Sequence, residues 1–155
     1  MPRAPQREEI GIAGVLPFTG ADVWTAFELT WLDPHGKPVV AIASFVVPAT
    51  SIAIVESKSE KLYFGSFAQS RFDGADAVSG AIVRDLSAAV GAPVALDLVA
   101  PAAFHRLRIA ELPGESLDGL PIAMDRYEVD PGLLAAAGPA AAETLRTDLF
   151  RSVCP

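Results

Sequence analysis

The densest cluster of polar side chains lies at residues 56–61, directly after an apolar stretch at residues 52–55. Ser57 followed three positions later by Glu60 is a capping-box pattern, which predicts that a helix begins here. The free amides of a helix N-terminus attract anions, and Lys58 adds a positive charge. The pattern therefore suits binding of an anion such as a nucleotide phosphate.

Glu56 stands one residue before the predicted cap. Its carboxylate can accept hydrogen bonds from two parallel N–H donors on the edge of a ligand. The same residues also fit a solvent-exposed helix start without any ligand, because capping boxes are common. Residue types and spacing leave both interpretations open.

The chain has a single cysteine, Cys154, and two histidines, His35 and His105. One cysteine allows no internal disulfide, and this set cannot supply a Cys/His metal site, so no metal is expected. Both histidines are predicted to be ordinary surface or loop residues. Cys154 is either a thiol without a role or a reactive thiolate, and Arg151 is weak evidence for the electropositive surroundings that reactivity needs.

The composition indicates one globular domain with an acidic balance. Its 155 residues contain 12 Lys and Arg against 19 Asp and Glu, which gives a formal net charge of −7. This sign disfavours binding to phosphate backbones, so no nucleic-acid partner is expected. The N-terminus is polar where a signal peptide is apolar, and the longest apolar run, residues 39–47, is too short to cross a bilayer. We therefore expect a cytoplasmic protein that does not bind membranes.

Hydrophobic periodicity predicts an α+β fold, an antiparallel sheet with two helices packed on one face. Residues 23–31 and 39–47 have strand character and flank a turn-rich segment, which predicts a hairpin. The other predicted elements are a helix from residue 57, a helix over residues 78–90, a strand over residues 93–99 and a loop-rich segment to about residue 125.

Three further predictions concern the ends of the chain and its aromatic residues. Residues 1–15 are expected to form a flexible N-terminal arm, and residues 16–155 a single module. Residues 143–154 fit either a helix or a strand, and the alternation of side chains favours a strand. The aromatic side chains predicted to lie in the core are those of Tyr63, Phe64, Phe67 and Phe72.

Several short motifs together resemble one enzyme family. They are Leu16-Pro17-Phe18, Gly20-Ala21-Asp22-Val23-Trp24-Thr25, Glu28-Leu29-Thr30-Trp31-Leu32, Glu56-Ser57-Lys58-Ser59, Lys61-Leu62-Tyr63, Ser66-Phe67, Arg71-Phe72 and Asp85-Leu86-Ser87. From about Leu16 to Cys154, the chain resembles the N-terminal module of the two-module NADPH-dependent 7-cyano-7-deazaguanine reductases. These are the nitrile reductases of queuosine biosynthesis, a tRNA modification pathway.

The resemblance implies a tunnelling fold (T-fold), in which antiparallel sheets with paired helices assemble through modules or subunits into barrels. It also implies a homo-oligomer and a C-terminal module, which is absent from this chain and must come from a continuation of it or from a partner chain.

The resemblance further implies a reaction and its residues. Cys154 matches the nucleophile that adds to the nitrile carbon of 7-cyano-7-deazaguanine to give a thioimide, which two hydrides from two NADPH molecules reduce to 7-aminomethyl-7-deazaguanine. Glu56 matches the substrate carboxylate, and the backbone around Val55 and Ser57 helps to hold the base. Ser57 and Lys58 match positions that contact NADPH.

The chain departs from the family pattern in two places. Glu60 occupies a position that is usually apolar, which places a negative charge near the expected phosphate site. The family's proton-donating aspartate lies beyond Pro155, so this polypeptide alone is predicted to be inactive. The alternative is a non-catalytic T-fold module that binds a purine-like ligand or a partner subunit.

Overall fold

The computed structural model describes residues 1–123, 125–128, 130–135 and 137–149. The chain divides into two compact units between Leu107 and Arg108, where the sequence predicts one module.

The N-terminal segment is bonded to the rest of the first unit. Helix α1 spans Ala4–Glu9, begins with a proline in its first turn and contains no buried residue. Arg3, just before it, is only 8% exposed. The sequence predicts a flexible arm here, whereas the structure has a short helix and a buried arginine. Hydrophobic periodicity does not reveal a buried charge whose partners lie far along the chain.

The predicted hairpin is confirmed, with strand β1 at Ala21–Leu32 and strand β2 at Pro38–Pro48 paired antiparallel. Asp33 organises the turn between them, because its Oδ1 accepts the N–H of His35 at 2.9 Å and that of Lys37 at 2.8 Å. These bonds are typical of an Asx turn. They lower the pKa of Asp33, with the Lys37 bond as the largest cause.

Both predicted helices are also present. Helix α2 spans Ser57–Gly65 and continues into a 3-10 turn at Ser66–Gln69, and helix α3 spans Ala75–Val90. Gly91 ends α3 in the left-handed region at φ 67°, as the sequence predicts, and donates its N–H to the Ser87 carbonyl at 3.0 Å. This is the ordinary use of glycine after a helix.

Strand β3, at Ala95–Val99, pairs antiparallel with β2 and completes a three-stranded sheet in the order β1-β2-β3. One face of this sheet forms the core with α2 and α3, which confirms the α+β class. Tyr63 and Phe72 pack against that core and Phe64 and Phe67 lie within it, so the aromatic prediction is confirmed. Among the described residues, the buried apolar residues of this core are Leu29, Trp31, Ala41, Ala43, Phe45, Val47, Phe64, Phe67, Val78, Ile82, Leu86, Val90 and Val94.

The second unit contains little regular structure in its described part. Strands β4, at Glu115–Ser116, and β5, at Leu145–Arg146, form a short parallel pair. Asp118 joins the same two segments, because its carboxylate accepts the Thr147 hydroxyl at 2.5 Å. The strand favoured for residues 143–154 is thus observed at two positions, and residues 150–154 lie outside the described part.

Candidate functional site

Residues 51–56 connect the sheet to helix α2 and contain part of the predicted site. The N–H groups of Ile52 and Ala53 both donate to the carbonyl of Val90, at 3.1 and 3.3 Å, at the end of α3. Ser51 is 2% exposed, which fixes the start of the segment in the interior. The segment therefore reaches α2 with its path set by main-chain bonds.

Glu56 is the N-cap of α2, with extended backbone at φ −99° and ψ 132°. Its Oε1 accepts the N–H of Lys58 at 3.0 Å, and its Oε2 accepts the N–H of Ser59 at 3.0 Å and the Ser59 hydroxyl at 2.5 Å. The predicted capping box of Ser57 and Glu60 is therefore wrong by one position. Glu56 supplies the cap with its longer side chain, and Ser57 is the first helical residue.

These bonds favour the ionised form of Glu56. They lower its pKa, with the Ser59 hydroxyl as the largest cause and the Lys58 and Ser59 amides adding to it. Glu56 is therefore an anion at neutral pH. A carboxylate offers about four acceptor positions, so three internal bonds leave about one for a ligand while the cap is intact.

The cap also reduces the number of free amides at the helix N-terminus that could bind an anion. Two of the first amides of α2, those of Lys58 and Ser59, already donate to Glu56. The N–H of Ser57 is the remaining early amide, since helix geometry gives it no internal acceptor. Phosphate binding by several free amides, as the sequence predicts, is thus reduced to the Ser57 amide and nearby side chains.

The other residues of the predicted site border Glu56 and are accessible. Val55 is half-buried against the core, and within the described part of the chain its main-chain N–H and C=O have no hydrogen-bond partner. Ser57 and Lys58 are exposed. The Lys58 ammonium forms no ion pair with any described residue. One short segment thus presents main-chain groups, a carboxylate, a hydroxyl and an ammonium.

Glu60 is the acidic residue in the first turn of α2. It is 8% exposed and stands one turn before Phe64, which is 5% exposed, so its side chain shares the buried face of α2. No described residue forms a hydrogen bond or ion pair with its carboxylate. Burial raises the pKa of Glu60, and the nearby Lys61 charge offsets this effect only in part. The expected negative charge therefore belongs to a largely buried side chain.

The other candidate residues from the sequence do not lie in this segment. His35 and His105 are exposed, as the sequence predicts. Among the described residues, no group of three or more His, Cys, Asp or Glu side chains is arranged to bind a metal. None of the helices in the described ranges combines the length and apolarity needed to span a membrane. Cys154 and Arg151 lie outside the described residues, so the catalytic assignment of Cys154 remains a prediction.

Comparison with known proteins identifies the family. The model of the family described as "Nitrile reductase, 7-cyano-7-deazaguanine-reductase N-term" matches residues 1–98, which include the hairpin, both site helices and nearly all of β3. The chain belongs to this family. The resemblance inferred from the sequence motifs is thus confirmed.

Named relatives in this reductase family align with the whole chain. The NADPH-dependent 7-cyano-7-deazaguanine reductase of Burkholderia vietnamiensis (strain G4 / LMG 22486) is 56% identical over 157 residues, covering 100% of this chain and 57% of that protein. The reductase of the same name from Burkholderia multivorans (strain ATCC 17616 / 249) gives the same figures. That of Burkholderia cenocepacia (strain HI2424) is 55% identical over 159 residues, with 58% of its length covered. The chain thus spans less than two thirds of these relatives.

Sequence reasoning missed two contributors to the site. Ser59, whose hydroxyl bonds to Glu56, occurs in the quoted motif, but the motif does not say which carboxylate caps the helix. Arg3 contacts the segment before the site, and its partners Asp22 and Ser51 are 19 and 48 positions away. The one available signal was an arginine directly before a Pro-containing helix start.

Proposed function

We propose that this chain is the N-terminal, substrate-recognising part of an NADPH-dependent nitrile reductase. The reaction converts 7-cyano-7-deazaguanine to 7-aminomethyl-7-deazaguanine in queuosine biosynthesis. The names of the relatives support the substrate and the cofactor, and the site described above supports a base-binding role for residues 55–57.

The main observation in favour is that the ionised carboxylate of Glu56 and the unbonded main-chain groups of Val55 occur side by side. The guanine-like edge of the substrate has an N–H and an exocyclic amino group, which suit a carboxylate acceptor such as Glu56. The free N–H and C=O of Val55 can bond to the same heterocycle, and the N–H of Ser57 can add a donor. Substrate N–H groups would share Glu56 with the cap or displace one of its internal bonds.

The exposed groups at the start of α2 fit a cofactor phosphate. Lys58 supplies a positive charge without an internal ion pair, and Ser57 supplies a hydroxyl at the positive end of the helix dipole. NADPH, when bound, supplies the hydrides for the reduction of the nitrile. The part of this chain in that step is to hold and orient the phosphate groups.

Cys154 is proposed as the nucleophile on the strength of its match to the family. Its thiolate would form a C–S bond to the nitrile carbon, and the nitrile nitrogen would take up a proton, giving the thioimide. Covalent capture fixes a poorly reactive carbon for reduction. Reduction adds two hydrides and further protons, and the C–S bond breaks to release the primary amine and the thiolate.

The sheet supports assembly into a T-fold barrel with further modules. β2 buries Ala43 and Phe45 beneath the helices, while Ile42 and Val46 on its other face are only half-buried. β1 and β3 form the two edges of the described sheet. An apolar second face and open edges suit pairing with a C-terminal module, and we propose that such modules assemble into a homo-oligomer.

The base-binding role can be tested by calorimetric titration of 7-cyano-7-deazaguanine into the complete protein with Cys154→Ala, which prevents covalent capture. Adding Glu56→Gln is expected to weaken binding about tenfold or more, because a charge-assisted acceptor is replaced by an amide. Ser59→Ala is the matched variant, since it disturbs the same cap but retains the carboxylate. It should change the affinity by less than about twofold.

A change at the exposed Glu128, Glu128→Gln, controls for the loss of a charge elsewhere. Unchanged affinity in Glu56→Gln would contradict the proposed role. Equal losses in Glu56→Gln and Ser59→Ala would show that the cap, and not the carboxylate, determines binding, which would also contradict it.

A further inference from the structure

The first residues of the chain form an additional strand-like pairing with the segment that leads to the site. Pro2 and Ala53 form an antiparallel bridge. On either side of it, the N–H of Arg3 donates to the carbonyl of Ile52 at 3.0 Å, and the N–H of Ile54 donates to the carbonyl of Met1 at 2.8 Å. The N-terminus is thus bonded to the main chain two residues before Glu56.

The side chain of Arg3 strengthens this pairing from the interior. Arg3 is 8% exposed, and its Nε donates to the Ser51 hydroxyl at 3.0 Å. Its Nη2 forms an ion pair with the carboxylate of Asp22, near the start of β1. Ser51 in turn donates its hydroxyl to the carbonyl of Ala53 at 2.8 Å. A continuous set of bonds therefore joins β1, through Arg3, to the site segment.

The other side of the segment is held by the end of α3. The carbonyl of Val90 accepts the N–H groups of Ile52 and Ala53, and Gly91 lies so close to Ile52 that a Cβ there would be 2.6 Å from its Cγ1. Residues 52–54 are therefore fixed between the helix end and the N-terminus. Only Val55 separates them from Glu56.

A guanidinium is suited to this task for a geometric reason. Its planar fork holds two partners at a fixed angle, whereas an ammonium is a single charge on a flexible stem. A buried ion pair often contributes little net stability compared with apolar packing. The arrangement is better explained by the position it imposes on Ser51 than by a gain in stability.

We propose that Arg3 is a positioning residue for substrate binding. By fixing Ser51 and Ala53 relative to β1, it sets the place and direction of Val55 and Glu56. The inference rests on the proposed role of Glu56 in holding the base. It assigns Arg3 no contact with the substrate.

The test measures the dissociation constant of 7-cyano-7-deazaguanine by calorimetry in the complete protein with Cys154→Ala. Arg3→Met is expected to raise it about tenfold, because the carboxylate and the main chain lose their fixed position. Arg3→Lys should raise it by a similar factor, since an ammonium cannot hold both partners in the fork geometry. Ser51→Ala, a smaller change, removes the hydrogen bond between Arg3 and Ser51. It tests the same connection if Arg3→Met does not fold. Arg106→Met, at an exposed arginine, is the control and should bind normally.

A double-mutant cycle separates positioning from general stability. In the Glu56→Ala background there is no carboxylate left to misplace, so Arg3→Met should cause little further loss of affinity. The loss of affinity in the double variant should therefore be well below the product of the two single losses. Multiplicative losses, or full affinity in Arg3→Lys, would overturn the inference. Normal binding by Glu56→Ala alone would instead refute the proposed function, and that result does not depend on Arg3. In the protein with Cys154 intact, Arg3→Met should raise KM for the nitrile and leave kcat within about twofold.

Discussion

Glu56 has a structural role as the cap of α2 and a proposed role in holding the substrate, and both depend on its charge. Its internal bonds, that of the Ser59 hydroxyl first, hold its pKa below the ordinary value. A lowered carboxyl pKa contributes stability above the ordinary pKa, and this contribution is lost as pH falls through the lowered one. Glu56 should therefore stay ionised over the neutral range. In acid, the helix cap and substrate binding should be lost together.

Glu60 has the opposite behaviour, because burial raises its pKa above the ordinary value of 4.5. Its effect on stability is most favourable below that ordinary value and is lost as pH rises through the raised pKa. Glu60→Gln removes the buried charge, so it should raise the free energy of unfolding at neutral pH by about 1 kcal/mol. Denaturant titration of both proteins at several pH values measures this difference.

The difference between Glu60→Gln and the wild type should shrink as the pH approaches 4.5, the ordinary pKa of the carboxyl group. Glu9→Gln, at an exposed glutamate on α1, is the control and should show no such dependence. A variant that is less stable than the wild type at neutral pH would contradict the account of Glu60 as a buried, unpaired charge.

Lys58 offers a test of the cofactor assignment. Lys58→Ala should raise KM for NADPH about tenfold, because a charged hydrogen bond to phosphate is lost, and leave the affinity for the nitrile unchanged. Lys61→Ala removes an equally exposed charge one turn further along α2 and should have little effect. Steady-state kinetics in the complete protein distinguish the two, and equal effects of both variants would indicate a general charge effect in place of a phosphate contact.

Helix α3 has two contrasting glycines, Gly91 at its junction with the site segment and Gly80 within the helix. Gly91 has φ 67°, and a Cβ there would be 2.6 Å from Cγ1 of Ile52, so Gly91→Ala should lower the free energy of unfolding by about 1–2 kcal/mol. Gly80, in the middle of α3, has open space where a Cβ would stand. Gly80→Ala should therefore stabilise the protein by about 0.5–1 kcal/mol.

Chemical denaturation of the two alanine variants measures both effects. Substrate affinity adds a second readout, because Gly91→Ala displaces Ile52 in the site segment and should weaken binding, whereas Gly80→Ala should not. Equal stability changes in the two variants would contradict the role assigned to the helix end.

The elements were predictable where the determining signal is local. The alternation over residues 39–47, the helical period over residues 78–90 and the glycine at position 91 each specify a structure through near neighbours. The cap of α2 was not, because residue type favours Ser57 as the N-cap, whereas the structure uses Glu56.

The sequence names the proposed site residues, but it does not give their internal bonding. The motif at residues 55–58 identifies the side chains, and the structure places them on one short segment. The three internal bonds to Glu56 and the contact of Arg3 with Ser51 could not be inferred, since one depends on cap geometry and the other on a pairing across 48 positions.

At the scale of the whole molecule, we propose that the enzyme comprises more than this chain. The relatives are longer, with 57% of the Burkholderia vietnamiensis reductase covered. The half-buried second face of the sheet and its open edges suit further modules, as proposed above. In this proposal, the base-binding segment and the nucleophile belong to a site that is complete only in the assembled protein.

The most direct test of the central claim is the intact mass of the complete protein after mixing with 7-cyano-7-deazaguanine in the absence of NADPH. The account predicts a mass increase equal to one nitrile molecule, located in the peptide that contains Cys154, and its loss on addition of NADPH. The Cys154→Ala variant should gain no mass. An unmodified wild-type protein, or the same adduct in Cys154→Ala, would contradict the assignment of this chain to a thioimide-forming nitrile reductase.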